Sequence, residues 1–316
     1  MKHSTEINFS RAVLILLVVL VHIVHFGTTY PAVKEAILAF MMPTFLFITG
    51  YLANVDKPAK AFGRYVLQIF LPYFIMVVGF SILSYFLPVR DKLTELSVNA
   101  ISERLFVTSI GPYWFLYVML GCGLLYRLSG LIVRNKERSF LRILTFGLLL
   151  YGVSFVVPLM SVQNVMYYFL GAALRQCNIQ YTNFIKPSRF ALFLFIFIIV
   201  FLGVRTWVSF GIVWAVYEFL AFTSWLSTRL PQRLEYSFNW LGMNTLPIYL
   251  FHPIFTLASK YYLPLFAWDK TAICFTIVTL LFSVSGSLMV AFALDKTHLT
   301  QLFGRKAFFR NINEKQ

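Results

Sequence analysis

Acidic residues are scarce in this 316-residue chain: Asp and Glu number 12 against 27 Lys and Arg, and charged residues of both signs make up only 12%. An ordinary soluble domain carries roughly 25% charged residues. With 59% hydrophobic residues, 18% aromatic residues and a mean hydropathy of +0.76, the apolar surface exceeds what a water-soluble fold could cover. No polar stretch is long enough for a soluble domain, so residues 1–294 read as one membrane domain and 295–316 as a basic cytoplasmic tail. No fused domain is expected beyond that tail. Cysteine is also rare: Cys122, Cys177 and Cys274 are scattered in or beside apolar runs, so neither a disulfide framework nor a metal centre is supported. Short alternating strands are missing, which removes a barrel and leaves helices as the only way to satisfy backbone hydrogen bonds in lipid. The first apolar run lacks a small-residue cleavage site and is expected to be retained.

Long apolar runs are what the chain has instead. About 20 apolar residues cross a ~30 Å hydrocarbon core, and that ruler predicts an all-α, polytopic membrane helix bundle of about ten spans. They fall near 10–29, 33–53, 65–87, 112–133, 141–159, 162–175, 189–205, 207–226, 243–262 and 271–294, the sixth being short. Cytoplasmic loops are enriched in Lys and Arg. With both termini placed inside, 20 of the 27 basic residues fall on the cytoplasmic face, while Lys34, Arg90, Lys92, Arg104, Arg205, Lys260 and Lys270 fall outside. Orientation and anionic membrane lipid account for the net charge of +15, so nucleic acid is not an expected partner.

Ionisable groups at membrane depth cost about 2.5–3.5 kcal/mol on insertion scales, so each needs a reason. Arg11 and His22 are eleven residues apart, close to three helical turns, which puts them on nearly one face and about 16 Å apart along the axis. That arrangement joins a cationic cytoplasmic mouth to a deep group that titrates near neutrality. The structural alternative is an interfacial anchor and a helix-packing hydrogen bond. His25 follows one turn later, nearer the outer surface. His252 stands in Leu246-Pro247-Ile248-Tyr249-Leu250-Phe251-His252-Pro253, where Pro253 frees the carbonyl of Tyr249 and Pro247 that of Met243, predicting a kink. That histidine either lines a cavity or caps a loose carbonyl. Glu218 is the one acid near mid-span, and a proton relay, a histidine partner and a structural hydrogen bond are all open for it.

The first span resembles the acyltransferase-3 family of bacterial membrane acyltransferases, in which a basic residue precedes a histidine by eleven positions. Further blocks follow in the family's order. Phe40-Met41-Met42-Pro43-Thr44-Phe45 runs on to Thr49-Gly50-Tyr51; Arg64 precedes Leu71-Pro72-Tyr73; Gly111-Pro112-Tyr113-Trp114-Phe115-Leu116 resembles the Trp-Phe-Leu block; and Gly242-Met243-Asn244-Thr245-Leu246-Pro247-Ile248-Tyr249 leads to His252. Met41 and Gln68 depart from the pattern, since histidine and a second arginine are common there, and no role is carried over to either.

The resemblance implies a membrane O-acyltransferase of the bacterial cytoplasmic membrane. It would move an acyl group, usually acetyl, from cytoplasmic acetyl-CoA to a hydroxyl of a cell-envelope glycan or lipid-linked sugar, without a metal and beside other envelope-biosynthesis proteins. Arg11, Arg64 and Trp114 are then expected at the donor. His22 would be the general base, with Glu218 and His252 as further catalytic candidates and Asn244, Thr245 and Tyr249 at the substrate or oxyanion. The outer loop 88–111 is a candidate acceptor contact, with a solvated loop of amphipathic character as the equal alternative. The rival reading is a transporter or flippase of an envelope polysaccharide precursor, with kinked helices along a path; no internal repeat supports it.

Overall fold

The structure is a computed structural model, and it describes residues 5–86, 92–135 and 137–310. Arg90, Asp91 and Lys136 lie outside the described residues. In chain order the helices are α1 (Thr5–His22), α2 (Val24–Thr29), α3 (Pro31–Leu52), α4 (Ala59–Phe86), α5 (Val98–Glu103), α6 (Trp114–Ile132), α7 (Ser139–Ser154) and α8 (Val162–Gln176). They continue with α9 (Tyr181–Phe184), α10 (Ala191–Ile196), α11 (Phe210–Ser227), α12 (Gln232–Met243), α13 (Thr245–Tyr262) and α14 (Ile273–Lys296). No strand occurs among the described residues. The protein is an all-α membrane helix bundle.

Among the described residues, six helical segments are long and apolar enough to cross a membrane: Thr5–His22, Pro31–Leu52, Ala59–Phe86, Gly111–Ile132, Phe210–Ser227 and Ile273–Lys296. The other four expected spans fall on α7, α8, Ala191–Phe201 and α13, which are not among the six. At 15 residues α8 reaches only about 22 Å. Leu67, Phe74 and Ile82 on α4, Phe140, Leu144 and Leu148 on α7, and Leu281, Met289 and Phe292 on α14 are exposed. Such apolar outer faces suit a lipid solvent.

The chain divides into two compact units, the first made of Met1–Phe45, Gln180–Thr300 and Lys306–Gln316, the second of Leu46–Ile179 and Gln301–Arg305. In the first unit α1 packs against α11, α12, α13 and α14. Its sequence has no amphipathic stripe, and Ile7, Leu14, Ile15, Val18, Val19 and Val21 are all buried, as befits a helix that is hydrophobic all round. Polar pairs fix its register: Ser10 Oγ lies 2.7 Å from Thr223 Oγ1 on α11, and Asn8 Nδ2 donates to Asn239 Oδ1 on α12 at 2.6 Å. Gly242 lets α12 approach, because a Cβ there would meet the Asn8 carbonyl oxygen at 1.8 Å.

In the second unit α6 packs against α4, α7 and α8. The end of α3 meets α8 backbone to backbone, since a Cβ on Gly50 would lie 2.0 Å from Tyr168 O and one on Gly171 would lie 2.0 Å from Phe47 O. Arg142, one of the 20 basic residues assigned to the cytoplasmic face, is buried and pairs with Asp56 at 2.6 Å.

Two expectations about helix continuity are corrected. The first span does not run unbroken over 10–29: α1 stops at His22, Ile23 is extended (φ −74°, ψ 105°), and α2 starts at Val24. Neither proline nor glycine lies between Leu20 and Phe26 to announce the break. Pro247 does not kink a helix either. The chain turns at Asn244 between α12 and α13, so Pro247 sits in the first turn of α13, where its missing N–H would have had no helical partner.

Candidate active site

Pro253 lies inside α13 and leaves the carbonyl of Tyr249 without its helical donor. The His252 ring supplies the replacement: its Nδ1 is 3.0 Å from both Tyr249 O and Ile248 O. The capping alternative read from the sequence is therefore the arrangement found. A carbonyl can only accept, so Nδ1 carries the hydrogen and, in the neutral ring, Nε2 carries the lone pair. His252 is fully buried, and its Nε2 has no hydrogen-bond partner.

His22, the last residue of α1, faces it. The two imidazole centroids are 5.0 Å apart with planes inclined at 67°. His22 Nδ1 donates to Val18 O at 2.7 Å, one turn back on its own helix, which selects the same tautomer and leaves Nε2 as the basic nitrogen. Two imidazoles thus meet edge to face at a helix break, each held through Nδ1 by backbone. The Tyr249 ring is 6.4 Å from that of His252.

At the other end of α1, Arg11 Nη2 donates to Thr245 Oγ1 at 2.9 Å. The only ion pair among the described residues is Arg142 with Asp56, so Arg11 has no carboxylate partner there. Asn244 is held by the C-terminal segment: its Oδ1 accepts the Arg310 N–H at 2.8 Å, and its Nδ2 donates to Trp240 O at 2.9 Å and Arg310 O at 3.4 Å. That segment is anchored further by Asp295, whose two oxygens accept the N–H groups of Phe308 (2.8 Å) and Phe309 (3.1 Å).

The structure therefore brings His22 to His252 and Arg11 to Thr245 within the first unit. It does not bring Glu218 to either histidine; the buried carboxylate accepts from Trp214 Nε1 at 2.7 Å, one turn away on α11. Arg64, exposed near the start of α4, and Trp114, at the start of α6, belong to the second unit. His25, with Lys260, Ser259 and Phe275, lines a small cavity of about 170 Å³. Sequence reasoning missed Arg310 at the Asn244 turn. It counted only as tail charge, and no spacing along the chain signals a contact made across 66 residues.

A family model described as an acyltransferase domain matches residues 4–292. The chain belongs to the acyltransferase-3 family. The match takes in Arg11, His22, Glu218 and His252 and ends before Arg310. No curated protein and no solved structure matches the chain. Membership of this family, together with the apolar helices, makes the protein a multi-pass membrane acyltransferase.

Proposed function

We propose that this acyltransferase carries an acyl group, taken as acetyl, from a cytoplasmic coenzyme A thioester to a hydroxyl of a cell-envelope glycan or lipid-linked sugar. In this reading the chain crosses the bacterial inner membrane ten times with both termini in the cytoplasm. The observation that carries the proposal is the fixed tautomer of His22. A base that must take a proton from a hydroxyl needs a lone pair aimed away from its own scaffold, and the Val18 carbonyl leaves Nε2 in that state. Arg11, on the same helix and without a carboxylate partner among the described residues, suits the phosphates of a donor whose thioester sits at the end of a long arm.

The chemistry follows from those parts. The acceptor hydroxyl gives its proton to His22 Nε2 as its oxygen attacks the thioester carbonyl. The tetrahedral intermediate collapses, the C–S bond breaks, and the proton passes from His22 to the departing thiolate. Thr245 orients the Arg11 guanidinium, and Tyr249, whose ring is 6.4 Å from that of His252, is assigned the oxyanion in this scheme. Glu218 has no part in this scheme. Acyl transfer by full-length protein in membranes, read by mass analysis of envelope glycans, tests it. His22→Ala is expected to lower the rate at least about 100-fold, the lower range of general-base effects. A parental rate from a normally inserted variant would refute the scheme.

A further inference from the structure

Arg310 lies beyond the family match, in a segment that composition alone marks as a solvated tail. Its backbone is nonetheless built into the first unit. Asn244 grips Arg310 through both N–H and carbonyl, Asp295 takes the amides of Phe308 and Phe309, Phe309 stacks on Trp240 with centroids 5.7 Å apart, and Phe308 meets Phe251 edge to face. Asn244 is followed directly by Thr245, which holds Arg11. One turn of chain between α12 and α13 therefore fixes two arginines, one from each end of the sequence. The Arg310 backbone is held at Asn244 and the Arg11 guanidinium at the next residue, Thr245, so the two arginines are brought to the same turn. Neither is in an ion pair with a carboxylate among the described residues. Burial also holds the Arg310 guanidinium below the usual arginine range. Like charges brought to one turn of chain repel each other, and a bound anion relieves that repulsion.

We infer that Arg310 and Arg11 together form a two-guanidinium site for a phosphate group of the acyl donor, and that the tail is a fixed strap completing it. This rests on the proposed reading of the donor as a phosphorylated thioester. One planar fork can already hold two oxygens of a phosphate, and two forks can grip a phosphate from two sides or span adjacent phosphates, which a lysine ammonium does not match.

The test uses full-length protein in nanodiscs and coenzyme A as the probe. Arg310→Gln is expected to weaken coenzyme A binding at least about tenfold, with Arg310→Lys intermediate. In the unaltered protein, coenzyme A is expected to shield Arg310 from phenylglyoxal, read by peptide mass, so a variant that fails to fold does not leave the question open. If coenzyme A protects Arg11 but Arg310 reacts as before, the strap proposal falls and the donor reading stands. If coenzyme A neither binds nor protects either arginine, the donor reading itself falls. If anionic phosphatidylglycerol nanodiscs protect Arg310 and coenzyme A in phosphatidylcholine nanodiscs does not, the site holds a lipid headgroup and the proposal is overturned.

Discussion

Replacing Gly242 by alanine perturbs a single backbone contact on which the candidate site depends. A Cβ at position 242 would lie 1.8 Å from the carbonyl oxygen of Asn8 and 2.5 Å from its carbon. An ordinary carbon–oxygen contact needs about 3.3 Å, so α12 must retreat from α1 by roughly 1.5 Å. Backbone on one side and a helical residue on the other leave no flexible side chain to absorb the shift. Overpacking of this kind destabilises by about 1–3 kcal/mol. The larger effect is on chemistry, because Asn244 and Thr245 follow two and three residues later and carry Arg310 and Arg11. A displacement near 1 Å can reduce a rate about 100-fold. The assay pairs thermal unfolding in detergent with acyl transfer in membranes, using Gly79→Ala as the control. Gly79 is exposed on α4 with nothing within 4 Å of its Cβ position, so alanine there is expected to be neutral or stabilising by about 0.5–1 kcal/mol. Gly242→Ala behaving like Gly79→Ala in both measurements would refute the reasoning.

Three further outcomes are expected. His252→Ala removes the donor for the Tyr249 carbonyl, which Pro253 cannot replace, and should destabilise by about 1–3 kcal/mol, with His252→Gln recovering part of the loss in a thermal scan. Arg142→Ala should destabilise by about 1–3 kcal/mol in denaturant titration, below the 3–5 of a fully buried pair because Asp56 is 41% exposed; Arg142→Lys should not restore it, since both guanidinium Nη atoms contact Asp56. The Asp269 carboxylate accepts the Phe275 amide at 3.0 Å and the Thr271 hydroxyl at 2.8 Å, and these bonds hold its pKa below the usual carboxylate range. A depressed folded-state pKa gives stabilisation that is complete above about pH 4 and is lost as the pH falls through the lowered value. Amide exchange at Phe275 should therefore be flat from pH 5 to 7 after correction for intrinsic rates and rise only at lower pH, whereas Asp269→Asn should abolish that dependence.

Much of the fold could be read from residue order, because lipid imposes few solutions. Apolar runs at the length of a bilayer must be helices. The Arg11–His22 spacing and the Pro253 beside His252 were also legible, since helical period and the missing proline N–H are local facts. The sequence alone thus determined the fold class, the family and the pair of histidines with a freed carbonyl next to one of them. Tertiary structure decided the rest, and for one reason: partners separated by hundreds of residues leave no local trace. Only packing brought His22 against His252, ended α1 at His22 without a breaker and paired Thr245 with Arg11. Only packing returned the C-terminal segment to Asn244, turning what composition reads as loose positive charge into an arginine whose backbone is fixed next to Thr245, the partner of Arg11.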